Sequence, residues 1–301
     1  MSGAQETARY VVRHETEYAY AAEVSHAHQL LHLTPRLLAS QVCASHALRI
    51  EPMPTYRSDA VDSFGNPVVR VEFDQPHRHL LVTADMRVTI TAPMTVNARE
   101  SLAWNKVRDL MTYTARPRSP QDIDAGQFRM ESPHVRLKRR IIEFSRDCFA
   151  PNEPVLVCAD LLLAKLHREL KYAPSETHIG TSVMELLETR RGVCQDFAHL
   201  MIACCRAQGL AARYVSGYLR TTPAPGTEKL VGADASHAWV SVYAPPFGWV
   251  DFDPTNGVRV GTDHITLAWG RDFGDVSPLR GVIVGGGSHQ LSVRVTVTDE
   301  T

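Results

Sequence analysis

The sequence predicts an α+β protein in which helices pack on an antiparallel sheet, preceded by an all-β, sandwich-like N-terminal domain. Three observations carry this reading. From Arg9 to about Val96 the chain runs in short alternating stretches broken by turn residues; helical periodicity begins only near His134; alternation returns from Ala212 onward. Helices first and strands afterwards separate this second part from a parallel βαβ architecture.

Each element follows from its own signal. Val68-Val-Arg-Val-Glu-Phe73 and Leu80-Leu-Val-Thr-Ala-Asp-Met-Arg-Val-Thr-Ile90 alternate as strands of an antiparallel β-domain, with Phe64-Gly-Asn-Pro67 as one of its turns. Residues 98–133, which include Arg116-Pro-Arg-Ser-Pro120, read as an irregular connector. One helix is expected over Val135 to Cys148 and another over Val155 to Leu170, with Leu162, Leu166 and Leu170 in register. Ser182, with Glu185 three residues later, forms a capping box that opens a helix over Val183 to Thr189. A further helix starts at Cys194 and stops near Gly209. Strands are expected near Ala212 to Leu219, His237 to Tyr243 and Trp249 to Phe252. Gly285-Gly-Gly287 then leads into an alternating segment, 290–297, that is available to pair with the N-terminal sheet. At 301 residues two units are expected, 1–125 for the β-domain with its connector and 126–301 for the core.

Composition narrows the function classes. The chain is 44% hydrophobic and 22% charged, as in ordinary globular enzymes. With 32 basic and 33 acidic residues, a net charge of −1 gives no attraction to nucleic acid or to an anionic membrane. The first residues lack the basic-then-apolar pattern of a signal peptide, and six cysteines without close pairing fit a reducing compartment, so a cytoplasmic location is expected. There is no Cys-x-x-Cys, no His-Glu-x-x-His, no phosphate-binding glycine loop and no EF-hand loop, so neither a metal nor a cofactor is expected. The pairs His26/His28 and His77/His79 read as solvated strand faces.

The chemistry converges on Cys194. It lies in Arg191-Gly-Val-Cys-Gln-Asp-Phe-Ala-His-Leu200, where Phe197, Leu200, Met201 and Cys204 form one apolar helical stripe. A thiol at a helix start meets unsatisfied N–H groups that favour thiolate and offer donors to an oxyanion. Gly192 lets the chain turn and come close, and Asp196 answers the helix dipole. Cys43, Cys148, Cys158, Cys204 and Cys205 read as buried packing residues. A nucleophilic cysteine needs a base and an orienting acid. Asp234-Ala-Ser-His-Ala-Trp-Val-Ser-Val-Tyr243 supplies His237 at the opening of a strand. Gly248-Trp-Val-Asp-Phe-Asp-Pro-Thr255 supplies Asp253 at a strand exit, before Pro254. Gaps of 43 and 16 residues suit a helix packed on a hairpin.

Gly-x-Cys on a helix, His-Ala-Trp on a strand and then Asp-Pro-Thr resemble the catalytic core of the transglutaminase-like superfamily, a branch of the papain-like cysteine enzymes. The flanking stretches Gly180-Thr-Ser-Val-Met-Glu-Leu-Leu187, Ala212-Arg-Tyr-Val-Ser-Gly-Tyr218 and Gly270-Arg-Asp-Phe-Gly-Asp-Val-Ser-Pro-Leu-Arg-Gly281 extend the match. Tyr10-Val-Val-Arg-His-Glu-Thr-Glu-Tyr-Ala-Tyr20 through Leu33-Thr-Pro-Arg36 resembles the β-rich region that accompanies this core in bacterial members. The resemblance implies a nucleophile at Cys194, a general acid/base at His237 and an orienting acid at Asp253. It implies acyl transfer from a protein or peptide amide through a thioester. Hydrolysis, as in a cysteine peptidase or amidase, is the expected outcome, because transfer needs a site that excludes water and binds an amine. A protein-glutamine transglutaminase and a non-catalytic interaction module are the alternatives. Beyond the Cys194 N–H, the second oxyanion donor is open among Gln195, Tyr214 and Trp239, and the loop Thr221 to Ala233 is expected to flank the cleft.

Overall fold

The computed structural model describes residues 6–112, 119–173, 181–221 and 236–300. The N-terminal strands are β1 (Thr7–Leu31), β2 (Gln41–Glu51), β3 (Tyr56–Val61), β4 (Pro67–Phe73) and β5 (His77–Thr91). Then come α1 (Trp104–Met111), α2 (Pro120–Gly126), α3 (Arg139–Ser145), α4 (Val155–Glu169), β6 (Lys171–Tyr172), α5 (Val183–Thr189), β7 (Arg191–Gly192) and α6 (Cys194–Ala207). The remainder is β8 (Ala212–Leu219), β9 (Ser236–Tyr243), β10 (Trp249–Asp253), β11 (Val258–Arg259), β12 (His264–Gly270), α7 (Phe273–Val276), β13 (Leu279–Gly285) and β14 (His289–Asp299).

The β-rich N-terminal region is one seven-stranded antiparallel sheet organised around β1. On one side of β1, β5 pairs with its first half and β4 with its last residues, so that the two act as a single long pass. β2 and β3 repeat that arrangement one place further out. On the other side of β1, β13 and β14 form a third such pass, and β14 runs from opposite Tyr20 to opposite Tyr10. Each pass is interrupted at the same level, by Pro52 and Pro54, by Pro76, and by Gly286 and Gly287, residues that weaken or stop a ladder. The sandwich-like character thus comes from strands that cross a bend within one sheet rather than from two separate sheets.

The core sheet has the order β11-β10-β9-β8-β12, antiparallel throughout. α6 lies on β9 and β8, with α3, α4 and α5 packed around it. Every residue of α6 from Asp196 to Arg206 is buried, well beyond the single stripe expected, because a helix enclosed on all sides has no solvent face. β12 is buried on both faces, and its sequence shows no alternation.

The helical readings at 155–170 and 183–189 correspond to α4 and α5, and Ser182 Oγ accepts from the Glu185 N–H at 3.1 Å. The helix expected from Val135 begins only at Arg139, as α3 followed by a 3-10 turn. Upstream, the Val135 N–H donates to Ser132 O and the Leu137 N–H to Glu131 Oε1, and Lys138 is extended at φ −127°, ψ 150°, so the helix starts only after it. The connector expected to be irregular contains α1, with Val107 and Met111 buried, and α2, opened by Ser119 with Pro120 behind it.

The N-terminal sheet is bound to the core mainly along β12. Gln41 accepts from the Thr266 N–H (2.8 Å) and donates to Thr266 O (2.7 Å); Asn66 does the same with Trp269 at 2.9 and 2.8 Å. Two side-chain amides thus act as a partial partner strand for an otherwise open edge. Arg36 and Arg213 lie over the Trp269 ring at 3.4 and 3.6 Å from its centroid.

Arg206 closes the far end of α6. Its guanidinium is 2% exposed and donates to Ala212 O, Met130 O and Arg271 O. Arg206→Met is expected to cost about 3 kcal/mol in urea unfolding, because the buried Ala212 carbonyl and the part-buried Met130 and Arg271 carbonyls lose donors. A loss below about 0.5 kcal/mol would show that those carbonyls find other partners.

Candidate active site

Cys194 is the first residue of α6, preceded by Val193 in extended conformation. Its backbone N–H belongs to the first turn, whose donors have no partner within the helix. Asp196, expected to answer the dipole, also has a definite bond: its Oδ2 accepts from the Val193 N–H at 2.9 Å. This folds the carboxylate back over the entry to the helix. Gly192 makes room for it, since a Cβ there would lie 2.7 Å from Leu186 Cδ1 and 2.9 Å from Asp196 Oδ2.

The structure brings Cys194, His237 and Asp253 together. His237 Nε2 is 2.7 Å from Asp253 Oδ2, and Cys194 lies near enough to the imidazole to favour its protonated form. With Nε2 committed to the carboxylate, Nδ1 is the nitrogen left for sulfur. Asp253 is fully buried. Its Oδ1 accepts from the Thr255 and Asn256 N–H groups at 3.0 and 3.2 Å, so the carboxylate caps the turn and holds the imidazole at once. Its Oδ2 takes two more donors, Asn256 Nδ2 at 2.6 Å and His264 Nε2 at 3.2 Å.

The electrostatics follow from this packing. Burial works against a charged His237, but the hydrogen bond to Asp253 and the nearness of Cys194, with their charges, overcome it and raise its pKa to about 9. Burial would likewise raise Asp253, yet the His237, His264 and Asn256 donors hold its carboxyl far below the usual range.

The three oxyanion candidates fare differently. Trp239 is fully buried and gives its indole N–H to Asp251 Oδ2 at 3.2 Å; its ring stands edge-on to His264 at 5.3 Å. That donor is spent, and Trp239 is a wall of the site. Tyr214 is buried on β8, where burial and the charges of Cys194, Asp196 and Asp272 keep its phenol protonated. Gln195 is half-buried beside Cys194. Of the loop Thr221 to Ala233, only Thr221 is within the described residues, and Gly180 also lies outside them.

Sequence reasoning missed two neighbours. Tyr172, exposed on β6 and paired with Gly192, lies near Cys194, and burial first and that neighbour second push its phenol up; a two-residue strand gives no periodicity to find it. His264 opens β12, and nothing in its spacing from Asp253 marks it. One other expectation needs correction. His77 is buried against Phe73 and Tyr20 rather than solvated, because the sheet bends over it. His199 is fully packed, and its Nε2 accepts from the Phe273 N–H at 3.2 Å. Among the described residues, the one group of side chains spaced for a metal is His237, Asp253 and His264, within 4.8 Å of one another. Both imidazoles point at one carboxylate oxygen at hydrogen-bond distance, which defines a proton-linked cluster.

Comparison with known proteins agrees with this architecture. Residues 10–89 match the bacterial transglutaminase-like N-terminal region, and residues 143–254 match the transglutaminase-like superfamily. An uncharacterized protein of Mycobacterium tuberculosis is 38% identical over 284 residues, covering 92% of this chain and 88% of its own. The chain belongs to the transglutaminase-like superfamily. A crystal structure from Cytophaga hutchinsonii, described as a candidate cysteine protease, superposes with a TM-score of 0.74 at 19% identity, covering 98% of this chain and 91% of that one. A protein-glutamine gamma-glutamyltransferase of Pseudomonas aeruginosa is 35% identical over 107 residues, 34% of this chain and 16% of its own.

The His237–Asp253 pair predicts a pH dependence of stability. The histidine pKa is raised on folding, from 6.5 to about 9, so its contribution is full below pH 6.5 and is lost as the pH rises through about 9. The difference in Tm between wild type and Asp253→Asn should therefore shrink from pH 6.5 to 10. A difference that stays constant over that range would contradict the raised histidine.

Proposed function

We propose that this protein is a thiol-dependent acyl-transfer enzyme that hydrolyses amide bonds in a protein or peptide substrate. The observation that carries the reading is the convergence of Cys194, at the start of an enclosed helix, with His237 and the buried Asp253 that holds it. An interaction module has no use for a fully buried carboxylate aimed at an imidazole.

In this reading Cys194 is the nucleophile. Its proton passes to His237, and the thiolate sulfur bonds to the amide carbonyl carbon. The Cys194 N–H and a second donor hold the oxyanion, and since Trp239 spends its N–H on Asp251, that donor is Gln195 or Tyr214. His237 then protonates the departing amine as the C–N bond breaks, leaving a thioester. His237 next takes a proton from water, whose oxygen attacks the thioester; the carboxylic acid leaves and the thiol is restored. Asp253 fixes the imidazole tautomer and stabilises its cation. No metal or cofactor enters these steps. The similarity to the P. aeruginosa glutamyltransferase favours a second reading, in which a primary amine replaces water.

Intact-mass spectrometry after brief iodoacetamide treatment tests the chemistry. Wild type should take one adduct rapidly below pH 7; Cys194→Ala should take none at that rate, and His237→Ala should lose the low-pH limb. Alkylation of Cys194 no faster than an ordinary thiol with a pKa of about 8.5 would favour the interaction module. Glutamine peptides incubated with and without a primary amine then separate the outcomes. The hydrolysed product alone in both supports hydrolysis, and an amine adduct supports transfer.

A further inference from the structure

We propose that His264 is a positioning residue of this site, a neutral imidazole that donates to Asp253 Oδ2 and thereby fixes how that carboxylate holds His237. The proposal rests on the reading of Cys194, His237 and Asp253 as the reacting set.

The arrangement is built by the fold. β10 and β12 are separated in the sheet by β9 and β8, so residues on them do not meet by strand pairing. Gly217 on β8, opposite His237, is what permits the approach: a Cβ there would lie 2.0 Å from Ile265 O and 2.5 Å from Trp239 Cη2. With no side chain at that position, the first residues of β12 and the Trp239 indole close over β8. His264 is then 7% exposed, with its ring 5.3 Å from that of Trp239 and 6.2 Å from that of His237. The N-terminal sheet holds the strand in place through Gln41 on Thr266 and Asn66 on Trp269.

The surroundings select one protonation form. Nε2 faces a carboxylate that already takes His237 and Asn256, so it must donate. Nδ1 is buried with no hydrogen-bond partner. A bare lone pair there costs less than an N–H without an acceptor, so the ring is the Nε2–H tautomer and uncharged. The groups facing it are Asp253 and the Asn256 amide, His237 and Trp239 on β9, and Cys194 beyond His237. The adjacent Asp263 carboxylate is turned to the Tyr10 hydroxyl and to Arg220.

A neutral donor on Oδ2 adds no charge to the set, but it takes up part of the carboxylate's basicity and prevents its rotation. Without it, Asp253 would bind the His237 cation more strongly and in a less defined geometry. The test is the pH profile of Cys194 alkylation together with turnover. His264→Leu should shift the alkaline limb, where the imidazolium is lost, upward by about half a pH unit or more and lower kcat more than it changes KM. His264→Gln, whose amide N–H can reach the same oxygen, should return the limb towards wild type. A folded His264→Leu whose limb superposes on wild type would overturn the proposal, as would equal shifts in both variants, since packing alone would then explain them. If His264→Leu does not fold, imidazole ¹⁵N NMR of wild type decides: a proton on Nε2 alone supports the assignment, and a proton on Nδ1 overturns it. A wild type with no reactive thiol would defeat the enzyme reading itself, and that outcome is visible before any His264 variant is made.

Discussion

A carboxylate removed completely from water survives only if donors surround it, and Asp253 has them on both oxygens: two backbone N–H groups on one, and two imidazoles and an amide on the other. Much of the core can be understood as what is needed to deliver those donors. The turn after β10 brings its own backbone and Asn256. β9 brings His237, and β12, arriving from the far side of the sheet, brings His264. The resulting anion stabilises a cation on His237, which in turn can stabilise a thiolate at the positive end of α6. Had the carboxylate been exposed, solvent would have screened it and the chain of influence would have ended there.

The N-terminal region contributes to the same end from outside the core. Its sheet is tied to the core through Gln41 and Asn66, which bond to the backbone of β12, and Arg36, which covers Trp269. His14 and Tyr10 add contacts to Tyr218 and Asp263 beside the same strand end. β14 runs along β1, so the chain that leaves the core after α7 returns to this sheet. The two matched family regions, 10–89 and 143–254, meet at β12, which belongs to neither.

What was legible in the sequence was what leaves a local pattern. The apolar stripe of α6, the capping box at Ser182 and the alternation of β8 and β9 are each written within a dozen residues, and their bounds follow the text closely. Cys194, His237 and Asp253 were legible because order and neighbours, not position alone, marked them. His264 and Tyr172 were not, since their importance lies in contacts made across the sheet or beside a two-residue strand. β12 carries no alternating pattern, and α3 starts later than the apolar spacing from Val135 indicates because Lys138 is extended. Trp239 was open as an oxyanion donor until Asp251 was seen to hold its N–H.

The central claim is that a buried carboxylate keeps His237 cationic next to the thiol. Imidazole ¹⁵N NMR across pH, on wild type, Cys194→Ala and Asp253→Asn, measures this directly. The account predicts a doubly protonated His237 at pH 7 that titrates near 9 in wild type and at lower pH in both variants. A neutral His237 at pH 7 in wild type, or a titration that Asp253→Asn leaves in place, would contradict it.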